Sequence, residues 1–269
     1  MPVLGIDYEK CSGCGICLIS CPIQNTLFKK EEEQDKIIFN DPENNCFRCG
    51  QCVAQCPEDA IIHIKMGEVF TFKNIENLEE HTSYDHIFNF LAANRSIRHY
   101  KKDKIPYAIL RKVFRAMECA PTGGNSRSEK YLIISDPDKI KELSDAVEEE
   151  MKIMFGVMLD ATRDKYHSVV YYDAPHIILV TTPNDTILGN FNVGNVVTYG
   201  RLAAQALGLG TCWIGMTQLA IQSNPKIKKM ANIRGNVVGA FTIGYPDAKY
   251  YRVAPRRMKE VIGLQEEIN

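Results

Sequence analysis

The sequence predicts two successive α+β units, and two observations carry that prediction. Within residues 1–65, two cysteine runs of identical spacing are bracketed by short apolar segments of strand length. From residue 87 onward, helical and strand periods alternate irregularly. There is neither a strict βαβ repeat nor a glycine fingerprint opening a helix after a strand, which favours an α+β sheet over a doubly wound parallel one. Residues 66–86 lie between the two, polar and without a sustained period, and read as a linker.

The runs are Cys11-Ser-Gly-Cys14-Gly-Ile-Cys17-Leu-Ile-Ser-Cys21-Pro22 and Cys46-Phe-Arg-Cys49-Gly-Gln-Cys52-Val-Ala-Gln-Cys56-Pro57, and they hold eight of the ten cysteines. Thiols spaced two, two and three residues apart and followed by proline suit a cubane iron-sulfur cluster. The three close cysteines wrap one cluster. The fourth, one helical turn further on, faces away and serves the other cluster of a two-cluster module. The expected ligand sets are therefore Cys11, Cys14, Cys17 and Cys56 for one [4Fe-4S] cluster, and Cys46, Cys49, Cys52 and Cys21 for the second.

Gly15 and Gly50 recur at one offset, where a loop curling around a cluster needs backbone conformations closed to a β-carbon. Zinc sites built from paired Cys-x2-Cys have no use for third and fourth thiols at these offsets. A disulfide framework needs an oxidising compartment, and residues 1–10 lack the basic-then-apolar pattern of a secretory leader. A reducing, cytoplasmic setting is expected. Over roughly the first 65 residues the chain resembles the bacterial two-cluster ferredoxins.

Composition limits the rest. The net charge of −1 implies neither a nucleic-acid partner nor a charged tail, and no apolar stretch is long enough to cross a bilayer. A length of 269 residues holds a second domain with its own core.

Taken in order, Val3–Tyr8 and Ala60–Ile64 read as the outer strands of the first unit. Residues 26–28 and 36–39 form a hairpin around the charged run 29–35. In the second unit, Leu110, Val113, Phe114 and Met117 fall at helical intervals, and the helix ends before Pro121. A strand at Tyr131–Ser135 precedes a helix from Pro137, with a break allowed at Gly156. Its methionines 151, 154 and 158 make a stripe of core or dimer interface. His176–Thr182 is apolar enough for a central strand. A helix over Val193–Leu207 stops at Gly208, where positive φ is usual, and strands follow at 211–214 and 236–244. Cys119 and Cys212 read as small core residues.

Arg95, Ser96 and Arg98 place two guanidinium forks and a hydroxyl within four residues, a grouping suited to a phosphate. With Ala120-Pro-Thr-Gly-Gly-Asn125-Ser126, Leu207-Gly-Leu-Gly-Thr-Cys-Trp-Ile-Gly215, and Ile243-Gly-Tyr-Pro246 followed by Pro255-Arg256-Arg257, residues 87–260 resemble the FMN-dependent nitroreductase family. The whole chain looks like a ferredoxin-fused nitroreductase: a 1–65 ferredoxin-like domain, a 66–86 linker, and an 87–269 nitroreductase-like α+β sheet domain. The resemblance implies a homodimer with FMN at each subunit interface. Arg95, Ser96 and Arg98 would hold the phosphate and ring edge, and Asn125 the pyrimidine part of the isoalloxazine. Ile214 and Gly215 would approach flavin N5 through their backbone, and Arg256 and Arg257 would complete the phosphate site. Two positions depart from the family: Arg127-Ser128 stands where many relatives have Gln-Pro, and Asn94 where arginine is frequent.

The function this implies is an oxidoreductase in which two [4Fe-4S] clusters feed FMN, and FMN reduces a nitroaromatic, quinone or similar electron-poor small molecule. A flavin resolves the mismatch between one-electron relays and two-electron substrates, so no side-chain nucleophile is required. The donor is reduced ferredoxin or NAD(P)H. Two other readings stand beside it: an NAD(P)H-oxidising flavoprotein that exports electrons through its clusters, and an electron-transfer or redox-sensing protein without a substrate of its own.

Overall fold

The computed structural model describes residues 2–24, 26–31, 36–69, 79, 82–183, 187–257 and 259–263. By internal contact the chain divides into two units, Met1–Asn77 with Pro121–Ser128, and Leu78–Ala120 with Glu129–Asn269. The first unit thus extends past residue 65 and takes in a short segment from much later in the chain.

The first unit runs β1 (Val3–Ile6), α1 (Ile16–Ser20), β2 (Phe28–Glu31), β3 (Lys36–Phe39), α2 (Gln51–Ala54) and β4 (Ile61–His63). β1 pairs antiparallel with β4, Ile6 opposite Ile61, so the strands on either side of the cysteine runs meet in one ladder. β2 and β3 form the expected hairpin. Lys29, Lys30 and Glu31 belong to β2 rather than to its tip, and the remainder of the charged run, 32–35, falls outside the described residues. Val3, Leu27, Phe28, Ile37, Val53, Ala60 and Ile61 pack into a small core that also includes Cys21 and Cys52. So few apolar residues make a marginal core, a deficit that bound metal commonly offsets in units of this size.

The second unit runs α3 (Tyr84–Ala92), α4 (Tyr107–Met117), β5 (Lys130–Ile134), α5 (Pro137–Arg163), β6 (His176–Thr182), α6 (Ile187–Ala206), β7 (Gly210–Trp213), α7 (Gly215–Ser223), α8 (Pro225–Met230) and β8 (Asn236–Gly244). Its sheet has the order β5-β6-β8-β7 with every ladder antiparallel, which is the α+β arrangement expected. The apolar run of β6 has a direct explanation. All seven of its residues are buried, with Ile177 and Leu179 facing a core shared with α5, α7 and α8, while Ile178 and Val180 face another shared with α4 and α6. A strand covered on both faces loses the alternation that marks a half-exposed one.

Local signals set several boundaries. Asp136 Oδ1 accepts from the Asp138 and Lys139 amides, and Pro137 opens α5. Gly156 does not break that helix, since the i→i+4 ladder carries one glycine at a cost of about 1 kcal/mol. Gly208 closes the turn after α6 at φ 74°. α3 begins inside the stretch read as linker, capped by Ser83 Oγ accepting from the His86 amide. Neither α7 nor α8 was expected: both are short and weakly periodic, and only Asn224-Pro225 announces a start. Cys119 corrects an expectation, because it is exposed at the end of α4, whereas Cys212 is buried. No described helix is long and apolar enough to cross a membrane.

His176 opens β6 in a buried position. Its Nε2 accepts from the Ile105 amide at 3.2 Å, and Nδ1 meets Ser135 Oγ at 2.7 Å. Burial first, and Lys104 second, hold this imidazole below its usual 6.5. The unfolded chain therefore binds a proton near 6.5 that the folded one refuses until lower pH. Stability contributed here is complete above 6.5 and falls as pH drops toward the lowered folded value. Melting temperature should decline between about pH 7.5 and about pH 5.5, and the decline should be shallower in His176→Gln. Equal slopes in the two proteins would remove His176 from the account.

Candidate functional site

Each cysteine run turns tightly and enters a short helix. Gly15 and Gly50 are the caps of α1 and α2, both at φ 74°, a left-handed conformation in which any other residue is strained. Two residues earlier the repeats differ in sequence but agree in shape: Gly13 has φ 73° and Arg48 has φ 56°. A non-glycine there costs roughly 1–2 kcal/mol, and two side chains hold the second loop in place. Asn125, which contact places in the first unit, donates through Nδ2 to the carbonyls of Phe47 at 3.1 Å and Arg48 at 2.8 Å. Buried Asp41 accepts from the amides of Asn45 at 2.7 Å and Cys46 at 3.2 Å. Asp41 escaped the sequence reading, although a short acid just before a tight turn is a recognised loop former.

The eight thiols sort into two hollows. Cys11, Cys14, Cys17 and Cys56 line one, walled by Ile6, Ile37 and Ile61. Cys21, Cys46, Cys49 and Cys52 line the other, walled by Val3, Phe28 and Phe39. Among the described residues no three His, Cys, Asp or Glu side chains converge as they would on a single ion. Four thiols around an apolar-walled hollow suit a cubane, which carries its own iron and sulfide between them. Burial pushes the Cys52 thiol up to about 12, with Cys49 and Cys46 adding to it, and burial raises Cys17 and Cys46 as well. Thiolates crowded this way need the positive charge of bound iron. The Ala60 amide lies 3.3 Å from Cys56 Sγ, the kind of N–H to sulfur contact that stabilises a reduced cluster.

In the second unit, the chain before α4 lies alongside β7. Ser96 bridges Thr211 in parallel, and the Ile97 amide donates to the Thr211 carbonyl at 2.9 Å. A cleft of about 230 Å³ opens beside this ladder, lined by Asn94, Arg95, Arg201, Gln205, Thr211 and Tyr250 among others. Arg201 was not anticipated. It sits on α6 at helical register with buried Val197 and Ala204, and nothing in its neighbours marks it in the sequence.

The other expected flavin contacts lie as follows. Ser96 lies beside the buried Cys212, its side chain favouring the thiolate while burial pushes the thiol up. Arg98 is exposed, its guanidinium 5.8 Å from the Tyr172 ring centre. Ile214 is buried, donates from its amide to the Ala240 carbonyl at 2.8 Å and caps α7, and Gly215 is the first residue of that helix. Arg256 and Arg257 are exposed and are not among the described residues lining the cleft. Of the expected set, only Arg95 lines the cleft directly.

A model of the nitroreductase family matches residues 91–245, and a model of the 4Fe-4S dicluster domain matches residues 10–60. A ferredoxin of Methanocaldococcus jannaschii is 39% identical over 57 residues, which are 21% of this chain and 71% of that one. The iodotyrosine deiodinase of Nematostella vectensis is 20% identical over 198 residues, 66% of this chain and 74% of its own. A nitroreductase with bound FMN from Bacteroides fragilis shares the fold, with a TM-score of 0.55 at 19% identity over 66% of this chain and 97% of that one. The nitroreductase model spans more than half of the chain, and the chain belongs to the nitroreductase family with an N-terminal 4Fe-4S dicluster domain.

Proposed function

We propose that this protein is an FMN-dependent oxidoreductase whose two [4Fe-4S] clusters pass electrons to the flavin for reduction of a nitroaromatic, quinone or similar electron-poor small molecule. The observation that carries the reading is the sorting of eight cysteines into two four-thiol hollows within a chain that also holds a nitroreductase domain. When bound, FMN accepts electrons singly and releases them in pairs, which is the chemistry that one-electron relays lack.

The protein's own residues have a narrower task. The two thiol quartets hold the cubanes and the apolar walls keep water from them. Arg95, Ser96 and Arg98 offer charge and hydrogen bonds to the flavin's anionic end, with Arg256 and Arg257 as further cations. Gly215 brings no side chain to the start of α7, where helix amides favour developing negative charge. Asn125 is left out of the flavin set, because its amide hydrogens are engaged by Phe47 and Arg48.

Anaerobic purification followed by iron, sulfide and flavin analysis tests the reading. About eight irons and one FMN per chain are expected, and a flavin-free protein that fails to take up added FMN would end it.

A homodimer belongs to the same proposal. On α5, Ile153 and Val157 are 98% and 89% exposed, and Met154 joins them. On α6, Ile187, Leu188 and Phe191 are exposed too. Apolar stripes of this size are unusual on a monomer surface. Sedimentation should give a dimer for the native chain and a monomer for Ile153→Glu with Val157→Glu. A native monomer would exclude this face as an interface.

A further inference from the structure

Arg201 lines the cleft beside Arg95 and has no part in the flavin contacts set out above. Its Nε donates to Thr211 Oγ1 at 3.2 Å and Nη2 to Asn94 Oδ1 at 3.3 Å. Asn94 in turn donates to Gln205 Oε1, and Gln205 donates to the Phe90 carbonyl at 2.7 Å. This chain of side chains fixes the guanidinium rather than neutralising it, since each partner is uncharged. Among the described residues no carboxylate pairs with Arg201, and none lines the cleft that it shares with Arg95. Burial disfavours the charge, and Cys212 and Tyr100, whose ionised forms would favour it, are themselves kept protonated by burial. A half-buried cation without a counterion is expensive to maintain unless a ligand supplies one. Arginine has five N–H donors and the bonds above use two, leaving three in the geometry that grips a phosphate fork to fork.

We infer that Arg201, held by Asn94 and Thr211, supplies with Arg95 the cationic seat for the phosphomonoester of the bound flavin nucleotide. The assignment rests on the FMN reading above and goes beyond it in one respect: it gives the phosphate a ligand from α6. The short side chain of Asn94 matters to this arrangement. Its Oδ1 accepts one N–H from Arg201 Nη2, where a second guanidinium at residue 94 would repel it. Gln205 keeps the Asn94 oxygen turned toward Arg201 by accepting from its nitrogen.

The phosphate can be tested apart from the rest of the flavin. Deflavinated protein with its clusters intact is titrated anaerobically with FMN and with riboflavin, following quenching of flavin fluorescence, for the native chain, Arg201→Gln and Arg201→Lys. Loss of a charge-assisted contact should weaken FMN about ten- to a hundredfold in Arg201→Gln while changing riboflavin by less than about twofold. Arg201→Lys, which keeps the charge without the fork, should fall between. Equal weakening of FMN and riboflavin would show that Arg201 only props up the 94–97 segment, and no change in either would remove it from the site. Both results overturn the inference while leaving the FMN reading intact. A native chain that binds neither flavin would instead overturn the FMN reading, and this inference with it.

Discussion

Replacing Cys14 and Cys56 together by serine should leave about four irons per chain, whereas replacing Cys14 and Cys21 together should leave almost none. The two hollows set these outcomes. Cys14 and Cys56 line the same one although 42 residues separate them, while Cys21 lines the other although it lies in the same run as Cys14. Serine oxygen is a poor substitute for thiolate on iron. Two lost ligands in one hollow therefore cost one cluster, and one lost ligand in each hollow costs both. An arrangement in which each run holds its own cluster predicts the reverse outcome for both pairs. Iron and sulfide assays on anaerobically prepared protein distinguish the two.

A Leu179→Ala substitution should lower the stability of the second unit by about 2–5 kcal/mol. Leu179 is fully buried in the middle of β6, paired with Leu132 of β5 on one side and Ala240 of β8 on the other. The strand is clamped between two cores, so its neighbours have little freedom to collapse into the void. Trp213, the sole tryptophan, lies on β7 of the same sheet, so its emission during urea unfolding reports on this unit. Tyr107→Ala, exposed at the start of α4, serves as the comparison and should stay within about 0.5 kcal/mol. A Leu179→Ala loss as small as that of Tyr107→Ala would mean that β6 is not the central strand.

The first unit was largely legible because cluster ligation imposes spacing, and spacing survives in a one-dimensional string. The expected interleaving of Cys21 with the second run and of Cys56 with the first came from two-cluster spacing and helical geometry together, and the lining of the two hollows agrees with it. β6 was legible for a different reason, an unbroken apolar run that only a doubly covered strand needs. What escaped were residues whose roles depend on partners distant in sequence. Arg201 is hydrogen-bonded to Asn94, 107 residues away, and the Asn125 bonds to Phe47 and Arg48 span 78 and 77 positions. Asp41 is an exception, since its amide partners lie only four and five residues on and became apparent only once the loop was folded. Cys119 was misread since α4 is amphipathic, and its apolar period through Leu110, Val113 and Met117 does not extend past the helix end to residue 119.

On the proposed function, the clusters and the flavin form one electron path within this polypeptide. Stopped-flow mixing of the anaerobic holoprotein with reduced ferredoxin as sole donor tests it most directly, with absorbance followed at the cluster and flavin bands and a nitroaromatic as acceptor. In the native chain the flavin should bleach and the acceptor be consumed, and both should cease in the Cys14→Ser, Cys21→Ser protein although dithionite still reduces its flavin. Flavin that stays oxidised with ferredoxin but bleaches at once with NAD(P)H, equally in both proteins, would contradict that path.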